Sequence, residues 1–260
     1  MATSEHELAM DQLAMAYRSG DPIAPLSTTF AGFDVDDAYR VQELQTEAWV
    51  RSGRTIVGRK VGLTSAAMRE QLGVDQPDFG VLFDDTEYPS GSTVEVDSFI
   101  SPRIEPEIAF VLASALTGPG VTVEDAIVAI DHVRASLEII DSRIADWKIG
   151  LVDTIADNAS FGGFVLGDTV MLGGGLALAT VECSLFRNGV EVASGTADAV
   201  LGSPINALVW LANTLGERGI SLEAGQVVLP GSITAAIPVH AGDIIDAHFS
   251  GIGNVSITFQ

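Results

Sequence analysis

The chain has 260 residues, 47% of them hydrophobic and 18% charged, long enough for one large core or two modest lobes. Its 13 Lys and Arg against 35 Asp and Glu give a formal net charge of −22. Such a surface repels phosphate backbones and anionic lipid, so no nucleic-acid and no membrane partner is expected. The one cysteine, Cys183, excludes an intramolecular disulfide framework and suits a reducing cytoplasm.

The opening residues lack a basic region followed by an apolar core, so no signal peptide is expected, and the longest apolar runs are strand-sized. Ser4 and Glu7 form a capping-box pattern. Ala9, Leu13, Ala16 and Tyr17 follow at helical spacing, and Gly20 ends the helix. A second helix is predicted from about Asp36 to Ser52, with Val41, Leu44 and Ala48 on one face. Neither helix carries a catalytic signal. From Thr55 to Leu63 the chain reads as a strand with Gly58, Lys60 and Gly62 on one face. Glycines flanking a lysine admit a ligand or another backbone; a surface lysine on an edge strand reads equally well. A short helix over about 65–72 ends at Gly73, and a Pro- and Gly-punctuated loop carrying Asp78 follows.

Short strands at 81–83 and 93–96 lead to a strand over 103–112. Side chains two apart share a strand face, so Glu105 and Glu107 point the same way with Arg103 beside them. Pro106 removes a backbone donor and predicts an edge or a bulge. A helix from Thr122, with Val123, Ala126, Ile127 and Ile130 on one face, delivers the chain to a second strand. There Glu138 sits among aliphatic residues, where a carboxylate needs a partner. A salt bridge to Arg134 or Arg143 would serve, and so would a metal. Three glutamates with no soft ligand nearby suit a hard, oxygen-loving cation such as Mg²⁺ or Mn²⁺. Zinc is disfavoured for want of a His/Cys cluster.

A polar, partly helical stretch over 141–160 precedes a strand over 161–167. The last third reads as short strands at 179–187, 190–198, 226–229, 244–250 and 254–259, with a hairpin turn at Asn188-Gly189. One helix interrupts them, opening at Ser203-Pro204 and ending at Gly219. No Walker loop, dinucleotide fingerprint or nucleophile elbow is present, and the four histidines are scattered. The layout predicts an α+β fold: an N-terminal helical segment over 1–53 and a β-rich domain over 54–260 forming one compact unit.

Five motifs occur in order: 58–64 (Gly-Arg-Lys-Val-Gly-Leu-Thr), 73–80 (Gly-Val-Asp-Gln-Pro-Asp-Phe-Gly), 102–108 (Pro-Arg-Ile-Glu-Pro-Glu-Ile), 137–147 and 153–160. Together they resemble the 2-hydroxypenta-2,4-dienoate (2-keto-4-pentenoate) hydratases of the fumarylacetoacetate hydrolase superfamily, which act in meta-cleavage breakdown of aromatic compounds or steroids. The resemblance implies a rolled mixed β-sheet with N-terminal helices, a Mg²⁺ or Mn²⁺ ion on Glu105, Glu107 and Glu138, and catalysis by Lys60 and Asp78. It further implies substrate contacts from Arg59, Phe79 and Ser160. At Leu229-Pro230-Gly231 the chain departs from relatives with Thr before the Gly, and Ser232 or Thr234 is expected to supply that hydroxyl. The implied partners are a small 2-hydroxydienoate substrate, further copies of the chain in a pentamer or decamer, and the downstream aldolase. The sister 2-oxo-3-hexenedioate decarboxylase and a non-catalytic metal-binding subunit remain the alternatives.

Overall fold

Helix α1 (Glu5–Ser19) starts at the predicted capping box, and Gly20 closes it in the left-handed conformation at φ 74°. The computed structural model describes residues 3–66, 69–70, 74–172 and 177–260. After a four-residue turn of helix, α2 (Leu26–Thr29), comes α3 (Val35–Arg51), capped by Asp34. Its buried face differs from the expected one. Leu44 and Ala48 are only half-buried, whereas Gln42 and Gln45 are buried with Ala38, Tyr39 and Val41. The glutamines are tolerated inside because each donates to a backbone carbonyl: Gln42 to Phe79 and Ile155, Gln45 to Ala156.

The body holds two sheets. The larger is mixed and runs β2 (Asp78–Phe83), β1 (Ile56–Gly62), β10 (Val227–Leu229), β5 (Arg103–Leu112), β6 (Ile130–Ile140), β7 (Phe161–Met171), β3 (Glu87–Pro89), with β11 (Ile237–Pro238) also on β5. The smaller runs β4 (Thr93–Val94), β13 (Gly253–Phe259), β12 (Ile244–Phe249), β8 (Glu182–Arg187), β9 (Val190–Thr196). Asn188 and Gly189, both at positive φ, turn β8 into β9 as predicted. Helix α5 (Pro204–Glu217) buries Leu208, Leu211 and Leu215. The stretch 197–217 is long and apolar enough to span a membrane, at mean hydropathy 1.2, but here those leucines belong to the core.

Two expectations are corrected. Helix α4 (Val123–Ala129), capped by Thr122, buries Ala126 and Ala129 and leaves Val123 and Ile127 exposed. It has only seven residues, and the chain turns into β6 at Ile130 before a longer face can form. Asp78 is not in a loop: it is the first residue of β2, opposite Gly62 of β1. The expected helix over about 65–72 and its Gly73 stop fall largely outside the described residues.

β5 is a central strand, so Pro106 does not mark a sheet edge. β10 pairs with Phe110 and Val111, and β11 with Arg103 and Ile104. Pro106 sits in the gap between these two partners, where its carbonyl accepts from the Ile233 amide at 3.0 Å. A residue's N and O point to the same side of a strand, so the missing donor faces that gap and costs no ladder bond with β6.

Candidate active site

The acidic strand and its neighbour meet in antiparallel register. Glu105 of β5 lies directly opposite Glu138 of β6, and Glu107 follows two residues on, on the same face. One carboxylate oxygen from each of the three lies within 4.8 Å of the others. Glu107 and Glu138 have no exposed surface, and Glu105 is half-buried. Neither Arg134 nor Arg143 serves Glu138. Arg134 donates to the Gly167 carbonyl at 2.7 Å, and Arg143 is held by Asp157 at 2.6 Å, with Asp141 at 3.5 Å.

The cation beside Glu138 is Lys60, whose Nζ is 3.2 Å from Glu138 Oε1 and donates to the Ala159 carbonyl at 3.0 Å. β1 lies between β2 and β10, so this lysine is not an edge-strand device; it is 4% exposed. Burial works against its charge, but Glu138, then Asp78, Glu105 and Glu107, hold the ammonium above its ordinary value. The flanking glycines have different jobs. A Cβ on Gly58 would lie 1.9 Å from the Val227 carbonyl oxygen of β10, and one on Gly62 would lie 2.1 Å from Asp78 Oδ1. Gly58 thus admits a neighbouring backbone, and Gly62 makes room for the Asp78 carboxyl.

Asp78 is 1% exposed. Thr154 donates to its Oδ2 at 3.1 Å, and its Oδ1 has no partner among the described residues. Burial raises its pKa, and Lys60 opposes part of that rise. Burial likewise raises all three glutamates: Glu105; Glu107 strongly, with Glu138 and Glu105 adding repulsion; and Glu138 to about 7, against the pull of Lys60.

The segment 158–160 closes the site. Asn158, Ala159 and Ser160 adopt left-handed backbone at φ 53°, 53° and 52°. Three such non-glycine residues in a row cost on the order of 1–3 kcal/mol each. They are held by the Asn158 side chain, which accepts from the Val81 amide and donates to its carbonyl, and by Lys60 on Ala159. The Ser160 hydroxyl is buried with no partner. On the other side, the Gly231 amide donates to Glu107 Oε2 at 2.7 Å. Ser232 and Thr234 spend their hydroxyl protons nearby, on the Thr234 and Ala235 carbonyls.

The metal expectation can be tested on the donor set. Among the described residues, Glu107 Oε1 and Glu138 Oε2 are buried without a partner, and Glu138 Oε1 has only the Lys60 ammonium at 3.2 Å, a cost a protein rarely accepts. All available donors are carboxylate oxygens on two rigid strands. The residues fit a hard divalent cation.

Strand alternation separates the remaining two expected contacts from this cluster. Arg59 of β1 and Phe79 of β2 point to the opposite face from Lys60 and Asp78. Phe79 stacks on Tyr39 of α3 at 4.5 Å, and both line a separate cavity with Arg59. In this structure neither side chain faces the carboxylate cluster. Thr154 and Gly231 are site residues that pattern reading does not assign, whereas it does pick out Gly62 beside Lys60. Thr154 lay within a recognised motif, but only the fold shows its hydroxyl on Asp78.

Comparison with known proteins gives concordant matches. A family model for the fumarylacetoacetate (FAA) hydrolase C-terminal region matches residues 52–260. The 2-keto-4-pentenoate hydratase of Paraburkholderia xenovorans (strain LB400) is 44% identical over 260 residues, covering 100% of this chain and 97% of the relative. The 2-hydroxyhexa-2,4-dienoate hydratase of Comamonas testosteroni is 43% identical over 250 residues, 95% of each. Among solved structures, 4-oxalocrotonate decarboxylase from Pseudomonas putida G7, complexed with magnesium and adipate, superposes with TM-score 0.94 at 36% identity over 100% of both chains.

Proposed function

We propose, from the premise that this chain belongs to the fumarylacetoacetate hydrolase family, that it is a metal-dependent hydratase of 2-hydroxypenta-2,4-dienoate. The enzyme tautomerises the dienol to the 2-oxo-3-ene acid and adds water at C4, giving 4-hydroxy-2-oxopentanoate in a catabolic pathway. The observation that carries this reading is the intact pair Lys60 and Asp78 beside the three-glutamate cluster, in a chain 44% identical to named hydratases.

Glu105, Glu107 and Glu138 would hold a divalent cation; Mg²⁺ or Mn²⁺ suits the all-oxygen set. Bound there, the cation supplies Lewis acidity toward the C1 carboxylate and C2 oxygen. Together with Lys60 it brings the charge of the three glutamates to zero, so an anionic substrate is not repelled. Lys60, held charged, donates to the C2 oxygen as negative charge develops there in both steps. Asp78, its carboxyl shifted up by burial and oriented by Thr154, exchanges the proton of the water that adds at C4. The buried, unpartnered Ser160 hydroxyl supplies a donor to the substrate carboxylate.

The decarboxylase reading rests on the superposition over the full chain. Product analysis separates the two. By NMR, 2-hydroxypenta-2,4-dienoate should yield 4-hydroxy-2-oxopentanoate, while 2-oxo-3-hexenedioate releases little CO₂. Faster decarboxylation of the dioate than hydration of the dienoate would replace this assignment with the sister activity. We further propose a cytoplasmic homo-oligomer, pentamer or decamer, in which the −22 charge makes assembly salt-dependent; a monomer by light scattering at every ionic strength would refute it.

A further inference from the structure

The reverse face of β1 and β2 carries a feature that the hydratase chemistry does not use. Arg59 is 8% exposed, and its guanidinium makes one hydrogen bond among the described residues, from Nη1 to the Gly58 carbonyl at 3.0 Å. Its Nε is buried with no partner, and no described carboxylate lies within 4.0 Å of it. Burial pushes the guanidinium down to about 10. A desolvated cation without a counter-ion is costly, and proteins keep one where a ligand supplies the charge.

Arg59 lines a cavity of about 140 Å³ between β1, β2 and α3. The stacked rings of Tyr39 and Phe79 and the Val81 side chain make its walls largely apolar. Arg218, whose guanidinium sits 4.1 Å above the Tyr39 ring, also lines the cavity but is paired with Asp36 at 3.5 Å, so Arg59 is the cation of the site. The two acids that also line it, Glu43 and Glu47, are engaged elsewhere: Arg40 pairs with both, and Arg51 with Glu47.

We propose that this cavity is a second binding site, for a small organic acid: the carboxylate on Arg59 and a short aliphatic body against the exposed edges of the stacked Tyr39 and Phe79 rings and Val81. A planar guanidinium with a free Nε matches a carboxylate, and the apolar walls favour a short aliphatic body beside it. The site is distinct from the carboxylate cluster, although Arg59 adjoins Lys60 and Phe79 adjoins Asp78 along the same strands.

The test uses 3-bromopropionate as probe. In crystals of the wild-type protein soaked with it, bromine anomalous scattering should show a peak in the cavity beside the stacked Tyr39 and Phe79 rings, with the carboxylate within hydrogen-bond distance of Arg59. By calorimetry, Arg59→Met should weaken this binding about tenfold or more, whereas Glu107→Gln should leave it unchanged. Bromine confined to the three-glutamate site, affinity unaltered in Arg59→Met, or the cavity filled by an acidic side chain of a neighbouring copy would each overturn the proposal. The crystallographic arm needs no variant, so a folding defect in Arg59→Met would not shelter it.

Discussion

Glu105 and Glu138 face each other across neighbouring antiparallel strands, as a register pair of β5 and β6. Like charges so placed destabilise a sheet unless something positive lies between or beside them. Lys60, 3.2 Å from Glu138, meets part of that need; the unpartnered oxygens of Glu107 and Glu138 mark the part still open.

Activity should therefore require a divalent metal. Chelation should abolish turnover, and Mg²⁺ or Mn²⁺ should restore it. Glu107→Gln should weaken metal binding about tenfold or more while the circular dichroism spectrum is kept. Full turnover in exhaustively metal-free protein would falsify the assignment.

Metal binding should also release protons. The three glutamates titrate above their ordinary range in the metal-free site, Glu138 near 7. Protons then compete with the metal, so affinity should rise with pH through about 6 to 8. Calorimetry in buffers of different ionisation enthalpy measures the protons displaced; an affinity flat across that window contradicts the raised values.

Lys60→Met should remove turnover and also expose the charge imbalance. Without the ammonium, the buried carboxyls of Asp78, Glu107 and Glu138 lose their neutralising partner, at a cost of about 3–5 kcal/mol near pH 8. Their folded pKa values lie above the unfolded ones, so protonation favours the fold and stability returns as pH falls toward 5.5. Melting temperatures at the two pH values give the comparison, and equal losses at both would argue against the buried-charge account.

Gly62→Ala isolates the positioning of Asp78. The added methyl would stand 2.1 Å from Asp78 Oδ1 and 3.3 Å from Lys60 Nζ, displacing the carboxyl. We expect kcat to fall by about tenfold or more with metal affinity kept. Unchanged kcat would mean that Asp78 is not held where the reaction needs it.

Asp78→Asn should slow water addition more than tautomerisation, because the amide can hydrogen-bond but cannot take a proton. The 2-oxo-3-ene intermediate should accumulate in NMR time courses. Equal slowing of both steps would place Asp78 in enolate stabilisation instead.

Much of this site was legible from local pattern, because a strand's period is fixed by backbone stereochemistry. Alternation alone put Glu105 and Glu107 on one face, and Gly58, Lys60 and Gly62 on another. Motif resemblance groups Arg59 and Phe79 with the site, and only the pairing of β2 with β1 shows their side chains on the opposite face, because residues 74–80 read as a loop in the sequence. Capping chemistry marked the N-terminus of α1 at Ser4, since those hydrogen bonds close within four residues. What only the tertiary structure decided is which distant groups meet. Glu138 opposes Glu105 through the register of β5 and β6; Lys60 reaches Glu138 because β10, from far along the chain, pairs beside β1; Asp78 becomes a strand residue by pairing with Gly62; and Gly231 arrives at Glu107 across 124 positions. Such contacts depend on the summed packing of both sheets and the helices on them, a long-range balance that no short window of residues contains.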